Sequence, residues 1–260
     1  QASTQASDIT VSPGLTAAAV NNGNSGGGSF ASPAGGILTL NGPNTNTGNV
    51  TICSTPQSTQ GQGGSNTNPG FGNWAYCYIE IYAQCQPNTS FNNMWFALWA
   101  DSQQVVNQQY QEVDFFETFC GNFGYPTNYQ AFSAHEWNAS TGSEPASGGG
   151  QYGTSSGGTF KITAIDTNWH LFGFLWVKTG TNTGYVTCYF DNVAQTIYNA
   201  DGGAPYSSTQ IPTGTGGASG WNYLDPCGPL YLKIGGPYGT NGNFNIDYVR
   251  VWGNGNTITT

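Results

Sequence analysis

The chain has 260 residues, only 7% of them charged, with thirteen Asp and Glu against four Lys and Arg. Those cations (Lys161, Lys178, Lys233 and Arg250) are too few for a basic patch, which argues against nucleic acid as a partner. No apolar run reaches the ~18 residues of a membrane-crossing helix, so no membrane partner is expected, and aromatics at 14% are far above a disordered composition.

Residues 1 to 30 are polar and Gly-rich and are expected to form a loosely attached N-terminal arm, with ITVSP (Ile9 to Pro13) as a first edge strand. Segment 55–73 is a long loop rich in Gln, Gly, Asn and Pro. From Trp74 onward, short runs of aromatic and β-branched residues alternate with turn residues. The expected strands are Trp74 to Cys85, Met94 to Asp101, Glu112 to Phe119, Tyr129 to Trp137, Trp169 to Val177, Tyr185 to Asp191, Leu230 to Gly235 and Phe244 to Trp252. No stretch combines a sustained helical period with caps. No linker divides the chain, so one all-β domain over residues 1–260, a β-sandwich or jelly roll, is expected.

The six cysteines (Cys53, Cys77, Cys85, Cys120, Cys188 and Cys227) include no C-x-x-C pair. That spacing disfavours zinc and favours disulfides, with a local Cys77–Cys85 link as one option. The chain starts at Gln1, without Met, as a trimmed mature form would, and a secreted, extracellular protein is expected. No cofactor or metal is needed by any motif, and a monomer is expected.

Three of the thirteen acidic residues, Glu112, Asp114 and Glu117, fall within EVDFFE. A regular strand alternates faces, so Glu112 and Asp114 point one way and Glu117 the other. One extra residue, a β-bulge, returns Glu117 to their face. Three carboxylates on one surface raise at least one pKa, which lets one carboxyl act as general acid while another attacks as nucleophile. A solvated acidic strand and an oxygen-rich calcium site are the competing readings.

E-x-D-x-x-E resembles the signature of glycoside hydrolase family 16, the laminarinase-type enzymes, in its bulged form. YCYIEIYAQ (Tyr76 to Gln84), MWFALW (Met94 to Trp99), SAHEW (Ser133 to Trp137), NWHLFGFLW (Asn168 to Trp176), YFDN (Tyr189 to Asn192) and IDYVRVW (Ile246 to Trp252) resemble further family blocks, in family order. The resemblance implies a concanavalin-like jelly roll of two curved antiparallel sheets with a glycan cleft. It implies Glu112 as nucleophile, Asp114 as its helper and Glu117 as acid/base, in a retaining endo-β-glycanase acting on a neutral polysaccharide such as a β-1,3- or mixed-linkage β-glucan. A transglycosylase and a non-catalytic lectin share the fold as alternatives. Trp95 and Trp99 share a strand face and are candidate sugar-stacking walls, and His135 and Trp137 are candidate substrate contacts on the next strand. Tyr82 stands where the family commonly has Arg, and Phe96 where it has Pro. Glu80 and His170 are read as structural. The fold class sometimes carries a structural calcium ion near the termini, for which no ligands are assigned.

So few charges leave little ion-pair energy to lose in acid. Calorimetry is expected to show a shallow stability change between about pH 6 and pH 3, and a steep loss there would contradict this.

Overall fold

A computed structural model describes residues 7–9, 20–21, 29–34, 37–41, 51–53, 76–87, 94–102, 109–118, 129–138, 158–161, 166–181, 183–199, 207–214, 230–239 and 242–253. The described residues contain no helix. In chain order the strands are β1 (Ser7–Ile9), β2 (Val20–Asn21), β3 (Ser29–Ala34), β4 (Ile37–Asn41), β5 (Thr51–Cys53), β6 (Cys77–Pro87), β7 (Met94–Ser102), β8 (Gln109–Thr118) and β9 (Tyr129–Asn138). They continue with β10 (Gly158–Lys161), β11 (Trp169–Gly180), β12 (Thr183–Phe190), β13 (Val193–Ala194), β14 (Ile197–Asn199), β15 (Ser207–Ser208), β16 (Ile211–Gly214), β17 (Leu230–Gly239) and β18 (Gly242–Gly253).

The strands form two antiparallel sheets, a jelly-roll sandwich. The first has the order β13-β12-β11-β6-β18-β4-β3, with β1 added to β18 and β16 to β12. The second has the order β15-β14-β10-β9-β8-β7-β17-β5-β2. The N-terminal residues supply β1, β2 and β3, and the first strand lies at Ser7–Ile9, just before the Ile9 to Pro13 segment. The 55–73 loop lies outside the described residues.

Alternation decides which way each strand faces. On β6, Cys77, Ile79, Ile81, Ala83 and Cys85 are buried, while Tyr78, Glu80, Tyr82, Gln84 and Gln86 are half-buried on the outer side. The core also takes Phe172, Phe174 and Trp176 of β11 and Phe244, Ile246, Val249 and Val251 of β18. The parity change on β18 between Ile246 and Val249 is a bulge at the exposed Asp247, seen as a register shift against β6. From the second sheet come Phe96, Leu98 and Ala100 of β7, Val113, Phe115 and Phe116 of β8, and Leu230, Leu232 and Ile234 of β17. Each such large side chain contributes about 1.5–3 kcal/mol through burial.

The expected Cys77–Cys85 link does not form. Both residues lie in one extended strand, eight positions apart, or roughly 26 Å at the usual rise. A disulfide bridges Cα atoms no more than about 6.8 Å apart. Cys77 and Cys188 are free thiols in the core. Burial pushes Cys77 up to about 12 and Cys188 well above its ordinary value, so neither is a reactive thiolate. The side chains of Cys53, Cys120 and Cys227 lie outside the described residues.

The outer face of the first sheet carries cross-strand aromatic pairs. Tyr78 stacks on Trp252 at 5.4 Å and Tyr82 on Tyr248 at 5.6 Å between ring centres. Between them, Tyr248 donates a hydrogen bond to Glu80 at 3.1 Å, and Arg250 lies 3.8 Å from Glu80. Glu80 is thus structural, as expected. Burial, and next the Glu80 charge, push the Tyr78 hydroxyl up to about 12. Tyr78 lies across Gly173 of β11, where a Cβ would sit 2.7 Å from the Tyr78 hydroxyl oxygen and 3.1 Å from Tyr189 Cβ. Gly173→Ala is therefore expected to destabilise the protein by about 1–3 kcal/mol in urea unfolding. An unchanged midpoint would mean that Tyr78 swings aside freely.

Candidate active site

The acidic motif lies on β8, between β7 and β9. Against β7, Glu112 stands opposite Asp101, Val113 opposite Ala100 and Asp114 opposite Trp99. The register then shifts, and Phe116 stands opposite Leu98 and Glu117 opposite Ala97. Against β9, Asp114 stands opposite Ser133 and Glu117 opposite Ala131. Phe115 and Phe116 therefore share the place that Phe132 alone fills on β9, which is a β-bulge. Both rings turn inward and are 2% and 1% exposed. Phe115 meets Phe174 at 5.0 Å and Phe116 meets Phe172 at 4.1 Å, across the gap between the sheets. Because two successive residues face the core, Glu112, Asp114 and Glu117 all lie on the opposite face.

That face continues onto the neighbouring strands. Trp99 and Asp101 share it on β7, and Lys233 stands opposite Trp99 on β17. Asp101 is fully buried and Lys233 is 6% exposed. The Lys233 ammonium Nζ forms an ion pair with Asp101 Oδ2 and lies 5.6 Å from the centre of the Trp99 ring. Asp114 is buried, whereas Glu112, Glu117 and Trp99 are half-buried. The face thus carries four carboxylates on two adjacent strands, one of which, Asp101, is paired with a buried ammonium.

By sequence, the chain matches no protein-family model and no curated protein. By structure, it is similar to a GlcNAcα1-4Gal-releasing endo-β-galactosidase from Clostridium perfringens, at 16% identity and a TM-score of 0.58, over 97% of this chain and 62% of that one. It is similar to the laminarinase from Rhodothermus marinus, at 16% identity and a TM-score of 0.50, over 85% and 78% of the two chains. A third match is a Bacteroides ovatus GH16 protein from a mixed-linkage glucan locus, in complex with a G4G4G3G product, at 14% identity and a TM-score of 0.50, over 95% and 94%. The fold is that of glycoside hydrolase family 16. The chain spans 62% of the length of the galactosidase it matches.

Within this family-16 fold, the residues singled out in the sequence fall on adjacent strands of the second sheet. His135 stands directly opposite Glu112, Trp137 opposite Tyr110, and Trp95 opposite Tyr238. The side chains of Trp95, His135 and Trp137 lie outside the described residues. Asp101 and Lys233 were not singled out from the sequence. Asp101 has the same strand parity as Trp99, and Lys233 is the lone charge between the core residues Leu232 and Ile234. No group of three or more His, Cys, Asp or Glu among the described residues is placed to hold a metal ion.

His170 lies in the first sheet, apart from this face. Its Nδ1 is 2.8 Å from Asp191 Oδ2 and its Nε2 is 3.0 Å from Asp166 Oδ1. Each ring nitrogen thus has a carboxylate partner. Asp191 also accepts from the Leu171 N–H at 2.9 Å, which ties the β12–β13 turn to the start of β11. Asp191 and Asn192 in that turn have φ of 48° and 65°, values that Asn and Asp tolerate.

The Asn168 backbone N–H at 2.6 Å, chiefly, and then His170 hold the Asp166 carboxyl below its ordinary value of 3.8. A depressed carboxyl stabilises the fold above its unfolded pKa, and that contribution vanishes as pH falls through the folded pKa. The stability gap between wild type and Asp166→Ala is therefore expected to shrink as pH falls below about 4. Urea titrations at stepped pH would measure it, and a gap that widens in acid would contradict the assignment.

Proposed function

We propose that the chain is a secreted, monomeric, retaining endo-β-glycanase that hydrolyses a neutral β-glucan. The observation that carries this reading is the bulge at Phe115 and Phe116, which puts Glu112, Asp114 and Glu117 on one face of β8. Retaining hydrolysis needs two carboxyl groups about 5–5.5 Å apart, flanking the bond to be cut. Glu112 and Glu117 stand on that face on either side of Asp114.

In this mechanism Glu112 attacks the anomeric carbon while Glu117 donates a proton to the departing glycosidic oxygen. The same Glu117, now a carboxylate, takes a proton from water, which attacks the anomeric carbon and releases Glu112. Asp114, buried between them, hydrogen-bonds the nucleophile and shares the proton of the acidic cluster. Trp99 offers its ring to the apolar face of a sugar, and Trp95 on β7 and His135 and Trp137 on β9 are the further candidate substrate contacts.

A neutral substrate suits the face, because its one described cation is already paired to Asp101 and sulfate groups would meet carboxylates. The laminarinase and the oligosaccharide-bound Bacteroides protein among the structural matches support a β-1,3- or mixed-linkage glucan as substrate.

Glu112→Gln is expected to lower reducing-end release from laminarin and lichenan by about 10³-fold or more, with the circular dichroism spectrum unchanged. Near-wild-type release by that variant would sink the mechanism. Binding of either glucan by the wild type with no new reducing ends would favour a lectin.

A further inference from the structure

We propose that Asp101 and Lys233 are positioning residues, whose buried ion pair holds the Trp99 ring as the wall against which a glucan ring rests beside Glu112. The inference builds on the β-glycanase reading above.

The pair lies inside the arrangement it would serve. Asp101 is directly opposite Glu112, Trp99 is opposite Asp114, and Lys233 is opposite Trp99. Three neighbouring strands thus bring the nucleophile candidate, the indole and the ion pair together. The pair is also expensive. Removing each ion from water costs several kcal/mol, and well-packed apolar residues of the same volume often leave stability unchanged or improved. Fold stability therefore does not explain why a carboxylate and an ammonium are buried here.

The geometry supplies another reason. Asp101 anchors the ammonium, and the anchored ammonium is held against the indole. A cation over an aromatic ring contributes about 0.5–2 kcal/mol, more as water is excluded, and Lys233 is almost fully buried. Lys178 over Tyr76 and Arg250 over Tyr248 also make ring contacts, at 4.8 and 4.0 Å, but Lys178 is exposed and the Arg250 side chain is 42% exposed, so burial sets the Lys233 contact apart from these two. Trp99 itself stays half-buried, as a ring that meets a ligand must. A large aromatic with its orientation already fixed loses little entropy when a sugar docks on it.

The test replaces both ions together, Asp101→Leu with Lys233→Met, so that neither is left buried alone. The double variant is expected to melt within a few degrees of wild type, to raise KM for laminarin about 10-fold, and to change kcat less than about 3-fold. In the Glu112→Gln background, the same double change is expected to weaken laminarihexaose binding about 10-fold by calorimetry. Lys233→Arg, which can keep both the pair and the ring contact, is expected to stay within about 3-fold of wild type.

Wild-type KM and unchanged hexaose affinity in a folded double variant would overturn the proposal, as would no hexaose binding by the Glu112→Gln protein. If the double variant does not fold, Asp101→Asn with Lys233→Gln, a neutral pair that can still hydrogen-bond, carries the same expectation and the same refutation. Hydrolysis that persists in Glu112→Gln removes the catalytic reading alone, because the affinity comparison still decides the role of the pair.

Discussion

Two adjacent phenylalanines, Phe115 and Phe116, both have to be buried, and a regular strand can bury only one of them. The bulge on β8 resolves this conflict. Both rings enter the core, where Phe174 and Phe172 of the opposite sheet receive them. The same distortion returns Glu117 to the side of Glu112 and Asp114. Core packing and the alignment of the carboxylates are therefore one event. A change that relaxes the bulge forces either an aromatic ring into water or a carboxyl into the core, and each outcome is costly.

Much of the architecture was legible because strand alternation is strong in this chain. The expected segment from Met94 to Asp101 is β7 to within one residue, and Phe244 to Trp252 lies wholly inside β18. The bulge could also be read from strand parity, since Glu117 has no other route to the face of Glu112. The cysteines show where spacing misleads. The short separation of Cys77 and Cys85 suggested a local bridge, yet the two continue the inward alternation of Ile79, Ile81 and Ala83 along one strand. Parity within β6 was the better guide.

The partnership of Asp101 with Lys233 was not legible. The two residues belong to strands distant in sequence, and only the antiparallel register of β7 with β17 makes them neighbours. Lys233 could be noticed as one charge in an apolar strand, but its partner could not be named without that register. A chain with so few charges gives each buried ion a large share of the local field, because nearby counter-charges are scarce. The His170 clamp is similar in kind. It gathers Asp166 and Asp191 from the two ends of a strand pair, and sequence spacing alone does not show that both flank one imidazole.

The position of β18 bears on how the protein assembles. It follows every other described strand in the chain, yet it lies in the middle of the first sheet, between β6 on one side and β4 and β1 on the other. On a ribosome, β6 and β4 would emerge early and wait for the strand that joins them, with apolar residues such as Ile79, Ile81, Leu38 and Leu40 still uncovered. Sheet closure then depends on contacts between residues far apart in sequence, which is the topology of slow folding. The sheet can close only after β18 has left the exit tunnel, and until then its open strand edges invite mispairing.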